Sequence, residues 1–319
     1  MKSILQKLAL LAIPAALWFA FFAAFEPNNY FGIRQASHST APIARLRAFE
    51  KAPGSRVILG DSRLAHFDDA LISQVSGEAW QNLAFGGASL KETNDLLEYV
   101  LDNDPDLQQV LFGLSFYTLS ANYNTDRMGA LEDTLHNPFA YCLNLEYNIN
   151  ALTNFSDMLA GRGDVEETGD WQYPADYTDA DGTVYDVHTV LAVYPKAILG
   201  RCENYGVNYA ELSRLYALAA RCAAQGVRLT VVLPPMARLV KTDVCDGFGI
   251  TELMQGEVLP ALYTAARENG FVLLDYEWGG SCITDDDRQF YDGFHLDTRY
   301  GLPQWTEQLW GDMAQAWRE

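Results

Sequence analysis

Ser62 ends the run Val57-Ile58-Leu59-Gly60-Asp61-Ser62, in which three apolar residues meet a tight turn before a helical pattern begins. That reads as a buried strand delivering a serine to the strand's carboxyl end. Open α/β sheets bind their ligands at that edge. A serine placed there is either a nucleophile or the N-cap of the following helix. As a nucleophile it needs a general base, because a neutral hydroxyl attacks weakly near pH 7. Five histidines are available: His38, His66, His136, His188 and His295. His295 has the best setting, since it follows the last strand pattern and precedes the last helix, with Asp292 three residues before it. In a turn, that spacing can place both side chains on one side. The carboxylate then fixes the imidazole tautomer and stabilises its cation. His66 lies one turn after Ser62 and reads as a surface or capping residue. Donors for a developing oxyanion are offered by the Ser62 N–H at a helix start and by the Gly86-Gly87 turn, where the backbone can approach a substrate closely.

The elements that must hold these residues alternate along the chain. Strands are expected at 57–59, 79–85, 109–114, 227–233 and 271–275. Helices are expected at 41–49, 90–101, 208–225, 254–268 and 304–317. Strands separated by helices imply a parallel sheet covered on both faces, a three-layer α/β/α sandwich. The interval from about 120 to 205 breaks this rhythm. It is rich in Tyr, Asn, Asp and Gly, and it reads either as a lid over the sheet's carboxyl edge or as a peripheral subdomain. Within it, Asp179-Ala180-Asp181-Gly182 lacks the ligands that would complete a calcium loop and is expected to be a hairpin turn.

The chain has 319 residues, 49% of them hydrophobic, so a large core can form. Its formal net charge of -20 would repel phosphate backbones and argues against nucleic acid as a partner. Five cysteines show no Cys-x-x-Cys and no zinc-like spacing. No metal or cofactor is expected. Cys245 and Cys282 lie in loop-like sequence and could pair as a disulfide if the domain is exported. At the amino terminus, Lys2 and Lys7 precede 18 uncharged residues, Leu8 to Phe25. As a helix these would reach ~27 Å, close to the ~30 Å hydrocarbon thickness of a bilayer. Cleavage after Ala23 or Ala24 would put Phe21 or Phe22 at the -3 position, which favours an uncleaved signal-anchor helix with the remaining chain extracytoplasmic. The expected organisation is a cytoplasmic stub and anchor at 1–30, a juxtamembrane linker at 31–52, and one domain at 53–319 carrying the insertion.

These blocks together resemble the SGNH, or GDSL-like, hydrolases. Gly60-Asp61-Ser62 matches the first block. Asn82 to Ser89 looks like the second, with Gly87 in the oxyanion-glycine position. Asp292-Gly293-Phe294-His295 matches the last. The resemblance spans roughly Arg56 to Gly301 and implies a flavodoxin-like sheet, a Ser62–His295–Asp292 triad and an oxyanion hole formed by the Ser62 and Gly87 N–H groups. One block departs: the family's Asn after the third strand is missing from Gly113-Leu114-Ser115-Phe116-Tyr117-Thr118. Ser115 or Tyr117 is expected to substitute, with Arg63 as a further substrate or oxyanion contact, or else two backbone donors act alone. An anchor followed by such a domain is similar to the DltD and AlgJ/AlgX-like group. That similarity implies acyl transfer to a cell-envelope or exported polysaccharide beside a membrane-bound O-acyltransferase, with Trp171, Tyr173 and Tyr177 as aromatic platforms for sugar rings. The alternatives are a carbohydrate esterase and a non-catalytic partner of the acyltransferase.

Overall fold

Val57, Ile58 and Leu59 are fully buried, as the apolar run requires, and they form the second strand of a five-stranded sheet. The computed structural model describes residues 2–33, 42–161, 177–178, 184–185, 202–279 and 289–318. Its strands are β1 (Arg56–Leu59), β2 (Gln81–Asn82), β3 (Gln109–Gly113), β4 (Tyr177–Thr178), β5 (Val184–Tyr185), β6 (Arg228–Leu233) and β7 (Val272–Asp275). The main sheet runs β2-β1-β3-β6-β7, and every neighbouring pair in it is parallel. From β1 the chain goes to one side to make β2, then returns to the other side to make β3. The strand order therefore reverses at β1/β3, and a crevice opens there at the carboxyl edge. Ser62 lies three residues past the end of β1, beside that crevice.

Helices gather in two groups. Leu90–Asn103, Tyr209–Gln225 and Leu259–Asn269 pack together, as do Asp69–Ser76 and Gly301–Ala316. The expected face of the first helix, Leu96, Leu97, Val100 and Leu101, is buried. Ser89 and Glu92 form a reciprocal capping box at its start. Gly226 ends Tyr209–Gln225 in the left-handed conformation. Trp305 and Trp310 of the last helix pack against Phe67.

Two expected elements differ. The second strand is two residues long, because Asn82 bends the chain: its amide donates to the Leu64 carbonyl and accepts from the Ala84 N–H. Bonds from Leu83 to Ile58 and from Phe85 to Gly60 still hold the segment alongside β1. The helix expected from 254 starts earlier, at Ile250, and widens through a π turn at Met254–Val258 before Leu259–Asn269. Pro260 cannot donate to the preceding turn, so a regular α ladder is interrupted there. The pairing of β4 with β5 is antiparallel and brackets the predicted Asp-Gly turn, whose residues 179–183 lie outside the described residues. So do Trp171, Tyr173 and Cys282. Cys245 is a buried free thiol.

The ends of β1 and β3 come unusually close. A Cβ on Gly113 would lie 2.9 and 3.0 Å from the two Leu64 methyls, and one on Gly60, at φ +151°, would lie 3.3 Å from the Gly113 Cα. Gly113→Ala is expected to cost about 1–3 kcal/mol through overpacking, read as a lower urea midpoint with an unchanged m-value.

The chain divides into two compact units, residues 49–128 with 170–319, and residues 1–48 with 129–169. This differs from the linear division expected. Residues 129–169 of the insertion do not belong with the sheet; they cluster with the amino-terminal segment. In that second unit the helix Lys2–Phe25 pairs with Leu145–Leu159. Phe22 and Tyr141 are fully buried, and Tyr141 stacks on Tyr30 at 4.0 Å. The Glu26 carboxylate, 1% exposed, accepts from the Tyr141 hydroxyl and from the Asn28 and Phe31 N–H groups. Among the described residues no helix is long and apolar enough to cross a membrane.

Candidate active site

The two readings of Ser62, cap and nucleophile, separate at its neighbour. Ser62 opens the short helix Ser62–Ala65, but the N-cap is Asp61, whose side chain accepts from the Arg63 N–H at 3.0 Å. The Ser62 hydroxyl is thereby released from capping, and its Oγ lies 2.6 Å from His295 Nε2. His66 is the C-cap of the same short helix and takes no part in this pairing.

His295 is carried by a closed loop. Tyr291 donates to the His295 carbonyl, Asp297 donates to Gln289, and Gly293, at φ +86°, accepts from Ala237 just after β6. Inside the loop the Asp292 carboxylate does two things. Its Oδ1 accepts from the Phe294 and His295 N–H groups at 3.0 and 2.8 Å, and its Oδ2 lies 2.7 Å from His295 Nδ1. The Asp-x-x-His spacing thus becomes a turn in which one carboxylate oxygen shapes the backbone and the other orients the imidazole. Burial alone would lower the His295 pKa, but the Asp292 charge and hydrogen bond outweigh it and raise it above its ordinary 6.5. Burial opposes ionisation of Asp292 as well, and the His295 contact and the two N–H groups hold it below its usual value.

Two opposite pH dependences follow. Base catalysis needs the neutral ring, so activity falls as pH drops through the raised His295 value; the acid limb of kcat/KM for a p-nitrophenyl ester is expected above 6.5. The pairing stabilises the fold while His295 is protonated. That contribution is complete below the unfolded value and is lost as pH rises through the folded one. Asp292→Asn is expected to move the acid limb to lower pH and to lower kcat by about 10⁴-fold. An unmoved limb would show that another group titrates.

The glycine turn is oriented by a buried carboxylate. Glu92, 0% exposed, accepts from the Arg127 Nε at 2.9 Å and the Arg127 N–H at 2.6 Å. Arg127 in turn donates to the Gly86 and Gly87 carbonyls at 3.0 and 2.8 Å. A trans peptide points its N–H opposite to its C=O. With the Gly86 carbonyl held by Arg127, the Gly87 N–H faces away from it. Among the described residues neither the Ser62 nor the Gly87 N–H has a hydrogen-bond partner. Gly87 sits at φ +68°, and a Cβ there would lie 3.3 Å from the Tyr123 hydroxyl, so glycine fits both the conformation and the space.

Arg63, Ser115 and Tyr117 have different surroundings from those expected. Arg63 is 4% exposed and Ser115 1%, so neither is open to a substrate. The Arg63 guanidinium donates to Ser115 Oγ at 2.9 Å, Glu277 Oε1 at 2.8 Å, and the carbonyls of Pro234, at 2.6 Å, and Pro235. The Tyr117 hydroxyl donates to Asp61. Burial, with the Asp61 charge, pushes that phenol well above its usual pKa, so it remains a donor committed to Asp61. The physical reason is the position of Arg63: one residue after Ser62, it turns under the sheet edge. There it joins the segments that leave β1, β3, β6 and β7. Glu277 completes the network, accepting also from the Phe116 N–H and the Trp278 indole. Burial pushes Glu277 up to about 7 against the lowering effect of Arg63.

Glu277, Arg127, Glu92 and the capping role of Asp61 were not singled out from the sequence. The Ser89/Glu92 capping-box spacing is a local signal that could have found Glu92. Nothing local marks Glu277, which lies 214 residues from Arg63. Among the described residues no group of three or more His, Cys, Asp or Glu side chains is gathered to hold a metal ion.

No family model matches the sequence, and no curated protein does. Among solved structures, the chain is similar to a protein from Desulfitobacterium hafniense DCB-2 assigned to the G-D-S-L lipolytic family. The TM-score is 0.34 and the identity 10%, over 81% of this chain and 96% of that one.

Proposed function

We propose that this protein is a serine acyl-transfer enzyme acting on esters. The observation that carries this reading is the continuous Ser62–His295–Asp292 hydrogen-bond chain beside the β1/β3 crevice. Ser62 Oγ attacks the acyl carbon as His295 Nε2 takes its proton. The carbonyl oxygen gains negative charge and is met by the Ser62 and Gly87 N–H groups. His295 returns the proton to the departing alkoxide, leaving an acyl-Ser62 ester and a free alcohol. Water or a second hydroxyl, deprotonated by His295, then attacks that ester and restores Ser62.

The finer reading adds compartment and acceptor. The 18 uncharged residues from Leu8 to Phe25 favour a membrane-anchored enzyme with an extracytoplasmic catalytic unit. The similarity of this arrangement to the DltD and AlgJ/AlgX-like group favours a polysaccharide hydroxyl as acceptor and a membrane-bound O-acyltransferase as partner. Incubation of the full chain with a fluorophosphonate, followed by peptide mapping, tests the chemistry. An adduct on Ser62 is expected. No adduct in folded protein would leave the non-catalytic-partner reading in its place. Product partition tests the acceptor: acyl groups recovered on an added glycan support transfer, and release only to water supports a carbohydrate esterase.

A further inference from the structure

The unit formed by residues 1–48 and 129–169 exposes apolar side chains on two adjacent helices. On Lys2–Phe25 these are Leu10, Ile13 and Leu17, spaced i, i+3, i+7 along one face. On Leu145–Leu159 they are Leu145, Ile149, Leu152 and Leu159, each at least 48% exposed. Their spacings of four, three and seven keep them on one face too. Two asparagines of the second helix face the first, while Glu146, Thr153 and Ser156 are exposed. Asn148 accepts from the Trp18 indole and donates to the Cys142 and Asn144 carbonyls. Asn154 donates to the Phe25 carbonyl. Phe155 packs edge-on to Phe21 and Phe25. Asn148 and Asn154 thus face the neighbouring helix, while Leu145, Ile149, Leu152 and Leu159 face outward.

We infer that Pro138–Leu143, whose Phe139 and Leu143 are also exposed, and Leu145–Leu159 form, with Lys2–Phe25, a single docking surface that sits in the acyl region of a neutral bilayer. Three features choose lipid as the occupant. An open groove lined by Pro14, Leu17, Trp18, Phe21, Leu152 and Phe155 joins the two exposed faces, so whatever covers one helix covers both. Leu8–Phe25 is already an uncharged run of bilayer length. From Pro138 to Leu159 the only charged residues are Glu146 and Asp157, so this segment itself offers no basic side chain to anionic headgroups; the basic residues of the surface, Lys2 and Lys7, precede the apolar run of the other helix. With a net charge of -20, attraction must come from apolar burial and not from charge. The surface does not require any helix to cross: a 15-residue helix is about 22 Å long, short of the ~30 Å core, and belongs in one leaflet. The inference rests on the membrane-anchored reading of the amino-terminal run and extends it to a segment more than 110 residues away in sequence.

The test uses the full chain in phosphatidylcholine vesicles, irradiated with a lipophilic aryl diazirine dissolved in the bilayer and mapped by peptide mass spectrometry. Carbene adducts in both Lys2–Phe25 and Pro138–Leu159 are expected. Adducts in Lys2–Phe25 alone would overturn the docking surface while the anchor stood. That result would also follow if a second copy or another protein covered Leu145–Leu159. Adducts in neither would overturn both. Ile149→Asp combined with Leu152→Asp changes two exposed positions. It is expected to remove the adducts from Pro138–Leu159 while those in Lys2–Phe25 remain. Unchanged adducts in Pro138–Leu159 in that variant would count against lipid contact. Labelling of Pro138–Leu159 in neutral vesicles is expected to be insensitive to salt, and its loss at high salt would contradict the apolar basis of that contact.

Discussion

Ser62→Ala is expected to lower kcat for ester hydrolysis by about 10⁶-fold, and His295→Ala by nearly as much, with the double variant no worse than either. The reason is the geometry of the pair. At 2.6 Å between Oγ and Nε2, the hydroxyl and the ring work as one group: without Ser62 there is nothing for His295 to deprotonate, and without His295 the hydroxyl is left protonated. Losses from such a pair do not add. Activity remaining in each variant would come from binding and from the Ser62 and Gly87 N–H groups, which the substitutions leave in place. Steady-state kinetics on a p-nitrophenyl ester, with KM measured separately, check this. Ser62→Ala retaining a tenth of the activity would remove Ser62 from the mechanism. A double variant far worse than both singles would show that the two act independently.

The grouping of Ser62, Asp292 and His295 was legible because each sits where local sequence rules act. A short apolar run ending in Gly-Asp-Ser announces a strand and its turn. The Asp292/His295 spacing is a three-residue motif whose geometry a turn dictates. Alternation of strands and helices predicts a parallel sheet but not its order; the return that places β1 between β2 and β3 was implied only by the flavodoxin-like resemblance. What the sequence hid was long-range. Arg63, Ser115 and Tyr117 lie beside reactive or loop residues and read as contacts for a substrate. The fold sends Arg63 to Glu277 and Tyr117 to Asp61. The insertion was hidden for the same reason. Its amides gain their long-range partners only when Leu145–Leu159 is set against Lys2–Phe25, where Trp18 donates to Asn148 and Asn154 donates to the Phe25 carbonyl.

The buried pair beneath the site makes the largest stability prediction. Arg63 and Glu277 have side chains 1% and 0% exposed, so removing one partner strands the other's charge. Arg63→Met is expected to destabilise the fold by about 3–5 kcal/mol at neutral pH, read from urea unfolding. The loss should depend on pH in a defined direction. With Arg63 gone, burial raises Glu277 further, the carboxyl folds best when protonated, and stability falls as pH rises from its unfolded value near 4.5. The deficit is therefore smaller at pH 5 than at pH 8. Glu277→Gln should cost less, because the Phe116 N–H and the Trp278 indole keep an acceptor and Arg63 keeps Ser115 and the Pro234 and Pro235 carbonyls. Arg63→Met with Glu277→Leu removes both charges, and most of the lost stability should return. Activity should not return with it. The guanidinium ties the Ser62 turn to the segments after β3, β6 and β7, and an apolar pair of similar volume supplies no such directional bonds. A double variant that is stable, yet low in kcat with KM little changed, would separate positioning from stability. Full recovery of kcat would make the pair a matter of folding alone.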